Sequence, residues 1–444
     1  MNNVIAYMEE KIMPKVSKIG NQRHLIAIRD GFLAMIALTM VASIATLINN
    51  IPIGPVQNFL KNNAFGQQVS ELCQNISWGA FSFMALFACM AIAHSLWTSY
   101  ENKGFEGGLV AAAVFLAVSK QTVLYTPPGS KDAIEVTGGL AASNFGATAL
   151  FTGIIIAIVA VELLRYLSNV DWLEIKLPDM VPPAVARSFK TMLPGILTIT
   201  ALVAACLALR AATGQYLPDL ITKVIQAPIQ SVTDSLATAI FYPLLVCGLW
   251  ALGLHGTNVT DGIAVPIFTS LSAHNMQLAE QGATTGYNVI NGPFFYSFVW
   301  LGGAGATLGL LLAILIAGKR ARKRYGAITS LSLPPGVFNI NEPVIFGLPV
   351  VLNPIIAIPF IIIPVVLSLI SYFAISSGLV HPVIVQSIPW TTPPIMSGFL
   401  ATGHLSGAIL SGVNLILATV LYLPFINLSI RLEEKQNAAL ENEA

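Results

Sequence analysis

The feature that most constrains this chain is a series of apolar runs, each long enough to cross a lipid bilayer as a helix. A tilted transmembrane helix needs about 20 such residues. Nine runs lie at about residues 31–49, 79–97, 107–124, 144–166, 192–212, 237–254, 294–317, 355–376 and 406–426. Only 10% of the 444 residues are charged, whereas soluble domains carry about 25%. The sequence therefore predicts an all-α polytopic membrane protein.

Basic residues predict how these helices are oriented, because Lys and Arg concentrate in cytoplasmic loops. Arg23 and Arg29 form a basic cluster before the first run, residues 319–324 read KRARKR, and Arg431 follows the last run. Nine crossings would put Arg431 outside, so a tenth is expected in the weakly apolar, interrupted stretch Asp261–Ser270. The prediction is about ten transmembrane helices with both termini cytoplasmic.

Two further segments organise the chain. Residues 2–20 are basic and amphipathic, which predicts an interfacial helix. The charged connector 169–190 contains three prolines and divides the chain into an N-terminal scaffold, residues 1–185, and a C-terminal half with broken helices, residues 186–444.

The stretch Leu333–Pro349, LPPGVFNINEPVIFGLP, places Glu342 in apolar surroundings. A carboxylate inside a bilayer costs about 2.5–3.5 kcal/mol on insertion scales, so it indicates a functional site. Four prolines interrupt the helical hydrogen bonds, which predicts a re-entrant segment. Such backbone at membrane depth persists only where protein or a water-filled cavity satisfies its polar groups.

A second broken segment, Cys247–Asp261, contains Trp250, His255 and Asn258, with glycines on both sides of the histidine. Interrupted spans of this kind indicate a midplane binding site in transporters. A lone histidine at the end of a span is more often structural. Its pairing with the segment that contains Glu342 favours a shared site.

The stretch Pro389–Gly398, PWTTPPIMSG, is too rich in proline to be a helix interior. Trp390 is a candidate for stacking on a ligand, and the alternative is a tryptophan at the membrane interface. The glycines of residues 302–306, GGAGA, are interpreted as contacts between packed helices rather than as a phosphate-binding loop.

Together these polar residues suit a neutral polyhydroxylated molecule, because sugars offer a ring face for stacking and hydroxyls that need donors and acceptors. The broken segments contain no Lys or Arg for an anionic substrate, and the net charge of +1 argues against nucleic acid. The four cysteines are far apart, so neither a metal centre nor a cofactor is expected. Coupling to protons or sodium stays open.

The motifs GLHGTN (253–258), FNINEPVIFG (338–347) and IPWTTPP (388–394) resemble those of enzyme IIC sugar permeases of the phosphoenolpyruvate-dependent phosphotransferase system, in the lactose, cellobiose and diacetylchitobiose branch. The resemblance covers nearly the whole chain. It implies a homodimer in the bacterial inner membrane that dimerises through the N-terminal half. It also implies that a disaccharide is translocated and phosphorylated at its 6-hydroxyl by a phosphocysteine on a separate cytoplasmic IIB protein.

The same resemblance implies roles for particular residues. His255 and Glu342 are expected at the reacting hydroxyl, with Glu342 as a base or hydrogen-bond acceptor. Trp250 and Trp390 would stack on sugar rings, and Asn258, Asn339 and Asn341 would bind hydroxyls. Asn144 is a further candidate, although its surroundings depart from the family pattern. A proton-coupled secondary transporter that releases unmodified sugar is the alternative function.

Overall fold

The computed structural model describes residues 18, 21–50, 54–100, 104–126, 134–175, 178, 181–348, 350 and 354–443. The predicted interfacial helix at residues 2–20 and Pro349 lie outside this part of the chain, except for Lys18. The α-helices are α1 Arg23–Ala34, α2 Ile36–Asn50, α3 Gly54–Asn62, α4 Ala64–Phe81, α5 Met84–Thr98, α6 Glu106–Val118, α7 Leu150–Ser168, α8 Pro183–Thr213, α9 Leu217–Ile221, α10 Ala227–Thr233, α11 Leu236–Ala251, α12 Gly256–Glu280, α13 Gly292–Phe298, α14 Thr307–Ile316, α15 Lys319–Val337, α16 Glu342–Gly347, α17 Pro354–Ser376, α18 Met396–Thr402 and α19 Leu405–Glu443.

Short elements complete the fold. Strands β1 (Thr122–Tyr125) and β2 (Ile134–Thr137) form an antiparallel hairpin in which Thr122 pairs with Thr137. A π-helical turn at Thr222–Gln226 joins α9 to α10. The fold is otherwise helical, as predicted.

Long apolar helices account for the membrane-spanning character of the chain. Among the described residues, four helices are individually long and apolar enough to cross a membrane, and the number rises to seven if each of three bent pairs is one span. The bends are 46° between α1 and α2, 45° between α4 and α5, and 82° between the α9–α10 segment and α11. These criteria give at most seven spans among the described residues, so the ten predicted crossings stay a prediction.

Two clusters of buried side chains form the interior. The first is built mainly from α1, α4, α5, α6 and α7, and α12 adds Ala273 and Met276 to it. The second is built from α11 through α19. Helix α8 packs Ile199, Leu202 and Val203 against the first cluster, although the sequence division placed most of this helix in the second half.

Two predictions of local structure were wrong. Residues 261–270 are not interrupted, because they lie within the continuous 25-residue helix α12, which accommodates Pro266. Residues 294–317 are not one clean span, because the chain leaves the helix between α13 and α14. There Gly302, Gly303 and Gly305 have positive φ angles of 91°, 96° and 86° and form a non-helical loop between the two helices. The predicted close approach to another helix holds at Gly305, where a Cβ would lie 2.1 Å from Phe360 of α17.

The stretch around Glu342 is broken, as predicted, but much of it is helical. Helix α15 continues through Pro334 and Pro335 to Val337, the chain turns over residues 338–341, and α16 begins at Glu342. Pro343 is tolerated because it lies in the first turn of α16, where its missing N–H would have no helical partner.

Candidate functional site

His255 occupies the break between α11 and α12. Gly253 takes a left-handed φ of 82° and turns the chain, and His255 then caps the N-terminus of α12 by accepting a hydrogen bond from the Asn258 N–H at 3.3 Å. Gly256 allows α12 to begin directly against α11, since a Cβ there would lie 2.1 Å from the Val246 carbonyl oxygen. The position of the imidazole is therefore set by backbone packing.

Glu342 occupies the corresponding break between α15 and α16. It is the first residue of α16, and its side chain remains 47% exposed. Asn339, three residues earlier, has a positive φ of 62°, which makes the turn between the two helices. The loop at residues 302–306 packs against this turn, because a Cβ on Gly303 would lie 2.6 Å from the Asn341 side chain.

The structure brings these two breaks together. His255 Nε2 lies 3.8 Å from Glu342 Oε1. Because His255 Nδ1 accepts the Asn258 N–H, the neutral ring carries its proton on Nε2, the nitrogen that faces the carboxylate. Two groups at this separation can each lie about 2.8 Å from one hydroxyl oxygen. The pair can therefore hold a hydroxyl between a donor and a base.

A cavity of about 400 Å³ surrounds the pair, within the ~300–1,000 Å³ range of small-molecule pockets. Seven of the eight residues predicted for the site line it, namely Trp250, His255, Asn258, Asn339, Asn341, Glu342 and Trp390. Asn144 lies outside this cavity, and its side-chain amide points to the Lys120 carbonyl oxygen at 3.5 Å. Whether Asn144 meets a substrate stays a prediction.

The two tryptophans differ in their surroundings. The Trp250 ring is only 3% exposed and lies 4.2 Å, centroid to centroid, from the His255 ring, so it also supports the imidazole. Trp390 is 47% exposed and presents a ring face for stacking. It comes from the non-helical stretch before α18, as the prolines predict.

The two asparagines of the 338–347 motif are buried and bonded to the protein. Asn341 donates to the Ala304 carbonyl oxygen at 2.9 Å, and Asn339 contacts three backbone groups. Their exposed fractions are 5% and 6%. Whether either residue binds a substrate hydroxyl stays a prediction.

Sequence reasoning missed several residues of the cavity wall. Arg29 reaches the cavity from α1, where its guanidinium bonds to the Asp30 carboxylate at 2.8 and 3.0 Å, so its charge is already paired. Asp261 lines the wall from α12. Aromatic side chains also line it, namely Phe32, Tyr242, Phe268, Tyr296 and Trp300. Arg29 had been interpreted as part of the cytoplasmic basic cluster, and the aromatic residues lie in runs where nothing distinguishes a cavity from a core.

Comparisons with known proteins identify the family of this chain. The model of the family described as "Phosphotransferase system, EIIC" matches residues 29–364. The cellobiose-specific EIIC component of Geobacillus stearothermophilus is 37% identical over 99% of this chain and 96% of its own length. The lichenan permease IIC component of Bacillus subtilis (strain 168) is 36% identical over 100% of this chain and 96% of its own.

A solved structure extends the likeness to the fold. The crystal structure of the transporter ChbC, the IIC component from the N,N'-diacetylchitobiose-specific phosphotransferase system, superposes with a TM-score of 0.91 at 35% identity. The match covers 97% of this chain and 99% of that one. The chain therefore belongs to the phosphotransferase system EIIC family.

Proposed function

We propose that this protein translocates a β-linked disaccharide of the cellobiose, diacetylchitobiose or lactose class across the bacterial inner membrane. It presents the sugar's 6-hydroxyl for phosphorylation by a phosphocysteine on a separate cytoplasmic IIB protein. The observation that carries this proposal is the His255–Glu342 pair, 3.8 Å apart in a cavity of about 400 Å³. The sugars named for the relatives support the disaccharide class.

In the proposed reaction the sugar oxygen attacks the phosphorus, an O–P bond forms, and the S–P bond to the cysteine breaks. The proton of the hydroxyl passes to the Glu342 carboxylate, which acts as the general base. His255 Nε2–H donates to the same oxygen and orients it before transfer. The thiolate of the IIB cysteine is the leaving group, so the chain itself needs no cofactor or metal.

Sugar recognition is assigned to the remaining polar and aromatic residues of the wall. Trp390 stacks on one sugar ring. Trp250 contacts the sugar through the edge of its own ring, near the hydroxyl that reacts. Asn258, which is exposed beside His255, and Asn341 bind hydroxyls. Arg29 does not select an anion in this proposal, because Asp30 neutralises it.

The proposed membrane organisation has about ten crossings and both termini in the cytoplasm. Residues 1–185 form the dimerisation half of a homodimer, and residues 186–444 form the half that binds substrate. Helix α1 packs closely on α12, since a Cβ on Gly262 would lie 2.6 Å from the Leu25 carbonyl oxygen, and its residues Arg29 and Phe32 line the cavity. This supports a site at the contact between the two halves. Cysteine cross-linking in native membranes measures the dimer, and labelling of single introduced cysteines with a membrane-impermeant reagent measures the side on which each terminus lies.

Uptake by proteoliposomes tests the function. Purified protein is reconstituted with radiolabelled cellobiose outside and phospho-IIB inside, and the expected product is luminal cellobiose 6-phosphate. The alternative is a proton-coupled transporter in which Glu342 carries the proton. Accumulation of unmodified cellobiose driven by a proton gradient, with no phosphoprotein present, would overturn the phosphotransferase mechanism in favour of this alternative.

A further inference from the structure

Three non-helical segments meet at the wall of the cavity that holds the His255–Glu342 pair. They are the glycine-rich break between α13 and α14, the turn between α15 and α16, and the stretch before α18. One side chain, Asn339, bonds to the other two segments. Its Oδ1 accepts the Gly302 N–H at 2.7 Å, and its Nδ2 donates to the Trp390 carbonyl oxygen at 2.6 Å and to the Thr392 carbonyl oxygen at 3.0 Å.

These contacts use most of the bonding capacity of the amide. A side-chain amide has two N–H donors and one carbonyl oxygen. Both donors and the oxygen of Asn339 are engaged by backbone groups, and the residue is only 6% exposed. A sugar hydroxyl that needs a donor would have to displace one of these bonds and leave a buried carbonyl unpaired, which costs about 1–3 kcal/mol.

The backbone at this residue also favours asparagine. Its φ of 62° lies in the left-handed region, which asparagine visits more readily than most residues with a side chain. The same residue therefore makes the turn that leads to Glu342 and holds the segment that carries Trp390. Loss of its side chain would remove the bonds that hold this turn against the other two segments.

We propose that Asn339 is a positioning residue, which fixes Glu342 and Trp390 relative to each other through backbone contacts and does not bind the sugar itself. This inference rests on the proposed function, since it assigns Glu342 to the reacting hydroxyl and Trp390 to a sugar ring. It replaces the sequence-based assignment of Asn339 to a sugar hydroxyl.

The chain offers a matched control in Asn275. Its amide also accepts one backbone N–H, from Asn288 at 2.7 Å, and donates to two carbonyl oxygens, those of Asn288 at 2.8 Å and Val383 at 2.9 Å. It is 0% exposed and does not line the cavity. Asn339→Asp and Asn275→Asp each keep the acceptor and remove both donors, so they perturb the fold alike and differ in their distance from the site.

The experiment measures thermal stability, cellobiose affinity and the rate of phosphorylation by phospho-IIB at saturating cellobiose. Both variants are expected to lower the melting temperature. Only Asn339→Asp is expected to slow phosphorylation, by about 10²-fold, the effect of misplacing a reacting group by about 1 Å. An equal loss of phosphorylation in Asn275→Asp would overturn the proposal. It would mean that destabilising any part of the C-terminal half is enough to slow phosphorylation.

A second variant separates positioning from direct binding. Asn339→Gly keeps the left-handed turn without adding a charge, and it is tested with cellobiose and a series of monodeoxy cellobioses. If Asn339 is a positioning residue, Asn339→Gly weakens the binding of all these sugars by a similar factor. In a Trp390→Ala background, the same substitution then weakens their binding no further. Weakening confined to sugars that keep one particular hydroxyl would identify Asn339 as a ligand and overturn the proposal.

Wild-type protein separates the failure of this inference from that of the function. If wild-type protein forms no cellobiose phosphate with phospho-IIB, the proposed function fails. If it does, and Asn339→Gly phosphorylates cellobiose at the wild-type rate with wild-type affinity, only the role of Asn339 fails.

Discussion

Replacing Gly256 by alanine tests whether close packing of two helices sets the position of His255. An added Cβ would lie 2.1 Å from the Val246 carbonyl oxygen and 2.9 Å from its carbonyl carbon, and both atoms are backbone. Contacts below 3.0 Å do not persist, so α11 and α12 must separate by about 0.9 Å. Overpacking of this kind costs about 1–3 kcal/mol.

The separation of the helices also moves the His255 imidazole, because His255 immediately precedes Gly256 and the imidazole packs against the Trp250 ring. We expect Gly256→Ala to lower the rate of cellobiose phosphorylation by about 10²-fold, the effect of a misplacement near 1 Å. The assay measures cellobiose phosphate formed with excess phospho-IIB, alongside the melting temperature in detergent.

Gly248→Ala is the matched control, because Gly248 lies in α11, the helix that Gly256 packs against, and a Cβ there meets nothing within 4 Å. This variant is expected to keep wild-type activity and stability. If Gly256→Ala retained the activity and melting temperature of Gly248→Ala, the packing argument for the placement of His255 would be refuted.

Four further substitutions have defined outcomes. Glu342→Gln should keep the fold and the affinity for cellobiose but reduce phosphorylation by about 10²–10⁴-fold, the usual contribution of a general base; full activity would exclude Glu342 from the reaction. His255→Ala should weaken cellobiose binding about tenfold, measured by calorimetric titration, and unchanged affinity would limit the imidazole to a structural role. Trp390→Ala should weaken binding of cellobiose without lowering the melting temperature, because its ring is 47% exposed, and a large fall in stability would contradict that. Gly305→Ala should prevent the accumulation of folded protein, measured by size-exclusion chromatography, because the φ of Gly305 is 86° and a Cβ there would lie 2.1 Å from Phe360. Gly318→Ala is its control and should fold, because Gly318 has a similarly strained φ of 101° but a Cβ there meets nothing within 4 Å.

The predictions from sequence held best where a single segment carries its own signal. The apolar runs predicted membrane helices, and the prolines and glycines near His255 and Glu342 predicted breaks in helices. They failed where the signal is ambiguous. The GGAGA run at 302–306 has the composition of the surface of a packed helix, but its glycines adopt positive φ angles in the non-helical loop between α13 and α14.

The candidate site was predicted as a list of residues but not as an arrangement. Arg29 was interpreted as a charge that sets the membrane topology, because nothing in its own helix shows that α1 packs on α12 beside the cavity. Asn339 was predicted to bind a sugar hydroxyl because the resemblance of its motif to the family implies that role. Its partners Gly302, Trp390 and Thr392 are 37, 51 and 53 residues away along the chain.

Local sequence alone determined that this chain is a helical membrane protein, where its helices break, and which family its motifs resemble, because hydropathy and backbone propensity act over about one helix length. Tertiary structure decided that His255 and Glu342 share one cavity and that the amide of Asn339 is engaged by backbone. Those outcomes depend on which distant segments pack together. Distances such as the 3.8 Å between Nε2 and Oε1 arise from the packing of whole helices and are encoded in no single segment.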